Sequence, residues 1–180
     1  MRYYERRLPH FSVAGQPLFV TFRLHGSLPE NRIFPPDRLT ANGKAFVAMD
    51  RLLDRTRSGP LSLLRPEIAG LVVAALKDGE ARFHRYQLHA YVVMPNHVHL
   101  LVTPQVFTPR WLGPLKGFTA HEANRILGTT GQPFWQDESY DHLVKEGEFD
   151  RIRQYIERNP VKAGLVLQPE EFCWSSASAA

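Results

Sequence analysis

Two histidines, His97 and His99, are the residues of this sequence with the clearest spacing for chemistry. Residues 91–102 read as a strand, a tight Pro-Asn turn and a second strand that opens with this pair. Because side chains alternate across a strand, both imidazoles point to the same face. Two imidazoles on one face of a rigid strand form half of a metal site, and the remaining ligands must come from elsewhere. The same spacing is also compatible with two core histidines that are satisfied by hydrogen bonds.

Tyr155 and Asn159 form a second candidate pair, four residues apart in a predicted helix that Pro160 is expected to end. Helix positions i and i+4 lie on one face, so the phenol and the amide are expected side by side. Each residue also has an ordinary structural interpretation. Tyr155 borders an apolar stripe, and an asparagine at a helix end commonly satisfies local backbone groups. The pair therefore gains a chemical role only if this helix packs over the histidine face.

The length and composition indicate one globular domain. The chain has 180 residues and a mass of 20.6 kDa, with 43% hydrophobic and 22% charged residues. A single cysteine, Cys173, excludes an internal disulfide and a cysteine-based zinc cluster. No stretch resembles a signal peptide or a membrane span, so we expect no membrane partner and a cytoplasmic protein. The net charge of +4 favours a polyanionic partner only weakly, because a solvated basic surface gives the same value.

The elements that must position these residues follow from hydrophobic periodicity. The order begins with a strand over residues 18–25, a helix over 37–57 and a second helix that starts at Pro66, with an apolar stripe as far as Leu76. A hairpin over 83–102, a helix over 108–127, a loop with a short strand over 134–144 and a last helix over 148–159 follow. This order predicts an α+β fold with a small, mainly antiparallel sheet and packed helices. Both faces of the hairpin are largely apolar, so the sheet is expected to be covered on both sides. A two-residue turn pairs Val92 with His99 and Met94 with His97.

Several stretches of the chain together resemble a known family. MPNHVHLLV, then a helix with Tyr155, then NPVKAGLV, is similar to the HUH-type single-tyrosine transposases, and more narrowly to the REP-associated tyrosine transposases. FVTFRLHGSLP, LKGFTAHEANRILG and PFWQDESYDHLV extend the resemblance over most of the chain. Amidohydrolase barrels need a longer chain, and JAB-type metalloproteases need a serine and an aspartate that are missing after the histidine pair. The resemblance implies a ferredoxin-like HUH nuclease domain, here residues 1–166, with 167–180 as a mobile tail.

The resemblance also implies roles for individual residues. His97 and His99 would bind a divalent cation, Mg²⁺ or Mn²⁺, with the amide oxygen of Asn159 as a third ligand. Insertion-sequence relatives usually have a glutamine at that place, and asparagine is one methylene shorter. Tyr155 would be the nucleophile, although the sequence identifies no base for it. DNA contacts would come from basic residues, each of which is also typical of a solvated surface: Arg2, Arg6, Arg7, Arg23, Lys116, Arg125, Arg151 and Arg153.

The implied function is metal-dependent nicking and rejoining of single-stranded DNA at hairpins of palindromic repeats. The expected intermediate is a 5′-phosphotyrosine with a free 3′-OH on the other strand end. The alternative is a non-catalytic protein of the same fold that binds such repeats, and a hydrolase of another substrate is a third hypothesis. The REP-associated branch favours a monomer over the homodimer of the insertion-sequence relatives, and the DNA partner implies a nucleoid-associated protein.

Overall fold

A computed structural model describes residues 2–5, 9–12, 14–28, 44–55 and 59–178, and the backbone alone of residues 2–5, 9–12, 44–47 and 55. The main sheet has four antiparallel strands: β3 (Leu18–Arg23), β4 (Tyr86–Val93), β5 (His97–Pro104) and β6 (Tyr140–Leu143). Their spatial order is β4-β5-β3-β6. A separate antiparallel pair consists of β1 (Arg2–Glu5) and β2 (Pro9–Ser12). The predicted α+β class with a small antiparallel sheet is confirmed.

Five helices accompany these strands in the described part of the chain. They are α1 (Lys44–Arg55), α2 (Pro66–Ala81), α3 (Leu112–Leu127), α4 (Phe149–Glu157) and α5 (Asn159–Lys162). Short 3₁₀ turns occur at Ser62–Leu64, Thr108–Arg110 and Pro169–Glu171. None of the helices in these described ranges is long and apolar enough to cross a membrane.

The two faces of the sheet bury different side chains, as the alternation of β5 predicts. Val98, Leu100 and Val102 join an apolar cluster that includes side chains of α2 and α3. Leu101 lies on the other face, in a smaller cluster that includes side chains of α1 and α4. His97 and His99 have the same parity as Leu101 and are fully buried. The sheet is therefore covered on both sides, and the histidines lie under α1 and α4.

A β-bulge at His89 changes which side chains of β4 face each cluster. Leu88 pairs with Val102 and Ala90 pairs with the adjacent Leu101, so His89 is an extra residue on the bulged strand. Before the bulge, Tyr86 faces the larger cluster; after it, Tyr91 faces that cluster instead. The predicted hairpin register is confirmed, because Val92 pairs with His99 and the Met94 N–H donates to the His97 carbonyl at 2.9 Å.

Several predicted element ends are wrong by a few residues. The strand expected from Phe83 begins at Tyr86, because the chain leaves α2 through a turn in which His84 has a positive φ of 47°. The helix expected from Thr108 begins as a 3₁₀ turn and becomes α-helical only at Leu112. For α1, the expected residues 37–43 and 56–57 lie outside the described part of the chain.

Pro160 does not end helix α4, which stops at Glu157. The chain turns at Arg158, with φ −88° and ψ 0°, and Pro160 lies in the first turn of α5. Proline is tolerated there because the first helical N–H groups have no intrahelical acceptor. This turn matters for the site, because it places α5 directly after the helix that carries Tyr155.

The tail packs against edge strand β4. The Val93 N–H donates to the Trp174 carbonyl at 2.9 Å, and the Ser176 N–H donates to the Tyr91 carbonyl at 2.9 Å. Ser175 forms an antiparallel bridge with Val92 and is buried. These contacts cover part of an edge that would otherwise present unpaired backbone groups. The mobile tail expected over residues 167–180 stays a prediction, and these contacts place residues 174–176 of it against β4.

Candidate active site

His97 is held by an amide that fixes which ring nitrogen carries the proton. Its Nδ1 lies 2.7 Å from Asn96 Oδ1, while Asn96 Nδ2 donates to the Leu53 carbonyl at 3.0 Å. Since the amide nitrogen is used on Leu53, Oδ1 is the acceptor and His97 Nδ1 is the donor. Burial, followed by repulsion from His99, lowers the pKa of His97 to about 3. The ring is thus neutral, and its Nε2 lone pair points into the site.

His99 lies beside His97 on the same face of β5. Its Nδ1 is 2.7 Å from Thr21 Oγ1, on the adjacent strand β3. Its Nε2 is 3.0 Å from His97 Nε2. Each imidazole therefore has a polar side chain at its Nδ1 atom, and the two Nε2 atoms are directed toward one point. This is the arrangement that outer hydrogen bonds impose on metal-binding histidines.

Asp50, on α1, completes the cluster and was missed by the sequence analysis. Its Oδ1 lies 3.0 Å from His99 Nε2 and 3.5 Å from His97 Nε2. One ligand atom from each of these three residues lies within 4.8 Å of the others, and all three residues are buried. Burial alone would raise the pKa of Asp50, but its interactions with His99, His97 and Tyr155 hold that pKa well below its usual range. The available signal was an acidic residue between Met49 and Leu53, in a helix whose apolar stripe must be buried.

Asp54 follows Asp50 by one helical turn. Its Oδ1 lies 3.9 Å from His97 Nε2, and this buried atom has no hydrogen-bond partner among the described residues. Burial and repulsion from Asp50 raise the pKa of Asp54 to about 7. Two carboxylates one turn apart therefore face the histidines, and they differ in how readily they ionise.

Tyr155 reaches the cluster from α4. Its hydroxyl donates a hydrogen bond to Asp50 Oδ2, across 105 residues of chain. Its ring lies edge-on to His99, with 5.8 Å between ring centroids, and to Phe19, at 6.2 Å. Burial, followed by the negative charge of Asp50, raises the pKa of Tyr155 well above its usual value. The helix of Tyr155 thus packs over the histidine face, which is the condition set by the sequence analysis.

Asn159 lies fully buried beside the same carboxylate. Its Nδ2 is 3.3 Å from Asp50 Oδ2 and donates to it, while its Oδ1 has no hydrogen-bond partner in the described parts of the structure. A buried amide oxygen without a donor is costly unless something else satisfies it. Its role as a metal ligand stays a prediction that this geometry permits.

The donor set fits a divalent cation. His97 Nε2, His99 Nε2 and the Asp50 carboxylate converge, and each can offer a lone pair to a cation. A cation at their centre would replace repulsion among lone pairs with three attractive contacts. Mixed oxygen and nitrogen ligands suit Mn²⁺ well and are compatible with Mg²⁺.

The basic residues expected at the DNA interface are mostly engaged with other groups. Three arginines pair with a glutamate one helical turn away: Arg125 with Glu122, Arg151 with Glu148, and Arg153 with Glu157. Lys116 donates to the carbonyls of Gln136 and Asp137, at 2.7 and 2.9 Å. All three arginine pairs are exposed, so each contributes less than about 1 kcal/mol and can be exchanged for a phosphate contact.

Arg23 is a predicted DNA-contact residue that lies next to a histidine of the site. It pairs with His97 across β3 and β5, is partly buried, and donates to Ser27 Oγ at 3.2 Å. Arg6 and Arg7 lie outside the described residues, and Arg2 is described only by its backbone in β1. The DNA-binding roles of all eight residues stay predictions.

Comparisons with known proteins find a family match and a shared fold. Residues 72–159 match the family model described as "Transposase IS200 like". No curated protein matches the sequence significantly. A solved REP-associated tyrosine transposase bound to a REP hairpin has a similar fold, with a TM-score of 0.57, 19% identity, and coverage of 98% of this chain and 82% of that one.

A second solved chain, a candidate transposase from Deinococcus radiodurans R1, has a TM-score of 0.45 and 20% identity over 87% of this chain and 97% of that one. The resemblance inferred from the sequence motifs is confirmed by the family match and the shared fold. The matched residues include His97, His99, Tyr155 and Asn159, whereas Asp50 lies outside them.

Proposed function

We propose that this chain nicks and rejoins single-stranded DNA at hairpins formed by palindromic repeats, and the match of residues 72–159 to the model of the IS200-like transposases supports this proposal. The observation that carries the proposal is a single contact: the Tyr155 hydroxyl hydrogen-bonds to the carboxylate that faces both histidines. A nucleophile type and a metal-ligand set therefore meet at one place, although they come from distant parts of the sequence. The solved hairpin complex of a protein with a similar fold supports a hairpin substrate.

The proposed reaction is a transesterification. The Tyr155 oxygen attacks the scissile phosphorus, an O–P bond forms, and the bond from phosphorus to the 3′ oxygen breaks. The hydroxyl proton leaves toward Asp50 Oδ2, the acceptor that already receives its hydrogen bond. Asp50 passes this proton through water to the departing 3′ oxygen, which restores the carboxylate and leaves a 5′-phosphotyrosine and a free 3′-OH. Rejoining is the same exchange in reverse, with a 3′-OH as the attacking group.

The remaining site residues bind the cation, orient the two imidazoles and exclude water. His97, His99, Asp50 and the amide oxygen of Asn159 would hold the divalent cation, which polarises the phosphate and offsets the charge that builds on it. Asn96 and Thr21 orient the two imidazoles through their Nδ1 atoms. Phe19 packs against the Tyr155 and His99 rings and excludes water from that side. Because the bond energy is kept in the phosphotyrosine, the reaction needs no nucleotide cofactor.

A covalent-adduct assay tests the proposal. Hairpin DNA from repeats flanking the gene, labelled at its 3′ end, is incubated with protein and Mn²⁺ or Mg²⁺ and run on a denaturing gel. We expect label that migrates with the protein and disappears with EDTA or with Tyr155→Phe. Tyr140→Phe is the matched control, because Tyr140 lies in the same cluster and also packs against Phe19. An adduct that persists in Tyr155→Phe would contradict the assignment of the nucleophile.

A non-catalytic DNA-binding protein of the same fold is the second candidate function. One observation favours it: both histidines are fully buried. The same gel distinguishes the two candidates, since retention of the hairpin in a native gel without any covalent adduct would support binding alone.

One chain supplies the tyrosine, the carboxylate and both histidines, which supports the proposed monomer. The expected readout is a monomeric mass in light scattering of the protein bound to one hairpin. The cytoplasmic, nucleoid-associated location stays a prediction.

A further inference from the structure

Lys162 lies against the ring of Tyr155. It is the last residue of α5, and its backbone N–H donates to the Arg158 carbonyl at 3.1 Å. Helix α5 follows α4 after the turn at Arg158, and Lys162 Nζ lies 4.0 Å from the Tyr155 ring centroid. A cation over an aromatic face is attracted by the electron density of the ring. The ammonium group of Lys162 is therefore held close to Tyr155, the proposed nucleophile.

The charge of Lys162 is available for a ligand. The residue is exposed, whereas Tyr155 is only partly exposed and the histidines are buried. Lys162 makes no ion pair with any carboxylate among the described residues. Arg151 and Arg153, on the adjacent α4, each pair with a glutamate instead. Lys162 therefore presents an uncommitted ammonium where the buried site meets solvent.

The electrostatics of the site call for such a charge. Asp50 and Asp54 both face the point where Tyr155 would meet a phosphate, and both attract Lys162. Two carboxylates repel an incoming phosphodiester, and the attack adds further negative charge to its non-bridging oxygens. An ammonium at the mouth of the site counters both effects at short range.

We propose that Lys162 binds a non-bridging oxygen of the scissile phosphodiester and stabilises the charge that develops while Tyr155 attacks. The inference rests on the proposed function and adds a residue to it. Lys162 keeps its proton throughout, so the bonds made and broken are those given above. The flexible four-carbon stem and three donors of lysine suit a group that moves from the ring to a phosphate.

The test compares single-turnover adduct formation in Lys162→Met and Lys162→Arg. We expect the methionine variant to react about 10- to 100-fold more slowly, in the range that follows the loss of one charge-stabilising donor. The arginine variant should recover most of that loss. Lys77→Met is the matched control, since it removes one exposed lysine from α2 on the opposite face of the sheet, and it should react at the wild-type rate.

Chemical rescue separates charge from structure. Lys162→Cys is made in a Cys173→Ser background, because Cys173 is the only cysteine of the chain and is exposed. Alkylation with 2-bromoethylamine then restores an ammonium with sulfur in place of one methylene. We expect the rate to rise at least about tenfold after this treatment, whereas the neutral product of iodoacetamide should stay slow.

Two further measurements identify which step Lys162 serves. Mn²⁺ affinity, measured from the electron paramagnetic resonance of free Mn²⁺, should be unchanged in Lys162→Met, because the residue is not a metal ligand. Affinity for a hairpin that lacks the scissile phosphate should also stay within about threefold of wild type, whereas a general phosphate contact would lower it.

The outcomes of the test are distinct. Loss of the rate in the methionine variant with recovery by arginine or bromoethylamine supports the inference. A wild-type rate in Lys162→Met, or equal rates for both alkylation products, overturns it while leaving the proposed function intact. If the wild-type protein forms no adduct, the proposed function fails and this inference fails with it.

Discussion

The two faces of the sheet use the same strand for opposite purposes. On β5, Leu100 and its neighbours of the same parity pack into a dry cluster of large apolar side chains with α2 and α3. The residues between them, His97 and His99, lie with Asp50 in a buried polar cluster under α1 and α4. The first face gains stability from the apolar area that it removes from water. The second face buries less apolar area, because it holds polar groups in one geometry.

The comparison teaches where the stability of the site comes from. Buried carboxylates and unpaired amide oxygens are unfavourable, and the site face contains both, in Asp54 Oδ1 and Asn159 Oδ1. The apolar side chains alternate with the histidines along the same strand. Packing of the apolar face therefore also fixes the strand on which the histidines lie. Variants on the two faces should therefore differ in the size of their effect and in its dependence on the metal.

The largest effect is expected on the apolar face. Leu100→Ala should lower the free energy of unfolding by about 3–4 kcal/mol, because it leaves a cavity in a fully buried cluster. Urea denaturation followed by circular dichroism measures the change. Leu165→Ala, at a leucine that is 42% exposed, is the control and should cost less than about 1 kcal/mol. Similar losses for both variants would refute the assignment of Leu100 to the core.

On the site face, the effect should depend on the metal. Saturating Mn²⁺, at about 100 times its dissociation constant, should raise the free energy of unfolding of the wild type by about 2.7 kcal/mol. Asp50→Asn should remove most of that gain while leaving the metal-free protein within about 1 kcal/mol of wild type, since it removes a buried charge together with its attraction to the histidines.

Thermal melts with and without Mn²⁺ provide this measurement. Asp78→Asn is the control, because Asp78 is paired with Arg82 on the surface of α2, away from the site. A full Mn²⁺ shift in Asp50→Asn would exclude Asp50 as a ligand and leave the histidines with Asn159.

Two glycines in helices should respond with opposite signs. A Cβ at Gly79 would lie 2.1 Å from the Tyr86 hydroxyl oxygen, which donates to the Leu76 carbonyl, so Gly79→Ala should destabilise the apolar face by about 1–3 kcal/mol. A Cβ at Gly117, in α3, meets nothing within 4 Å, so Gly117→Ala should stabilise the protein by about 0.5–1 kcal/mol. Chemical denaturation of both variants checks the sign, and equal signs would contradict the packing at Tyr86.

The smallest effect concerns the pH dependence of the metal-free site. The pKa of His97 is lowered to about 3, so its contribution to stability is present above its ordinary pKa of 6.5 and is lost as the pH falls toward 3. The pKa of Asp54 is raised to about 7 from 3.8, so its contribution is present at low pH and is lost as the pH rises through that interval. The two slopes oppose each other between about pH 4 and pH 6.5.

Asp54→Asn should unmask the slope of His97. From pH 6.5 down to pH 5, the variant should lose stability relative to wild type by at most about 1 kcal/mol per pH unit. Urea denaturation at several pH values with EDTA present measures the difference. A difference that stays constant with pH would show that Asp54 does not titrate in this range.

Local pattern was enough to predict one strand and one helix of the site. Alternation has a period of two residues, so it placed His97 and His99 on one face wherever the strand packed. Tyr155 and Asn159, predicted on one face of a helix, both contact Asp50 Oδ2 although the helix ends between them. The turn residues gave the hairpin register that pairs Val92 with His99. Each of these results depends on neighbours a few positions apart, which the sequence lists directly.

Only the tertiary structure brought Asp50 and Lys162 to the site. The position of Asp50 between Met49 and Leu53 indicates burial but not a role, because that role depends on a contact with Tyr155 across 105 residues. Lys162 reaches the tyrosine ring because the chain turns at Arg158, where the sequence predicted that Pro160 would end the helix. The bulge at His89 and the attachment of the tail to β4 have the same origin. Contacts between distant segments depend on how whole faces of helices and sheets pack. A single sequence shows which residues form each face but does not show which other face packs against it.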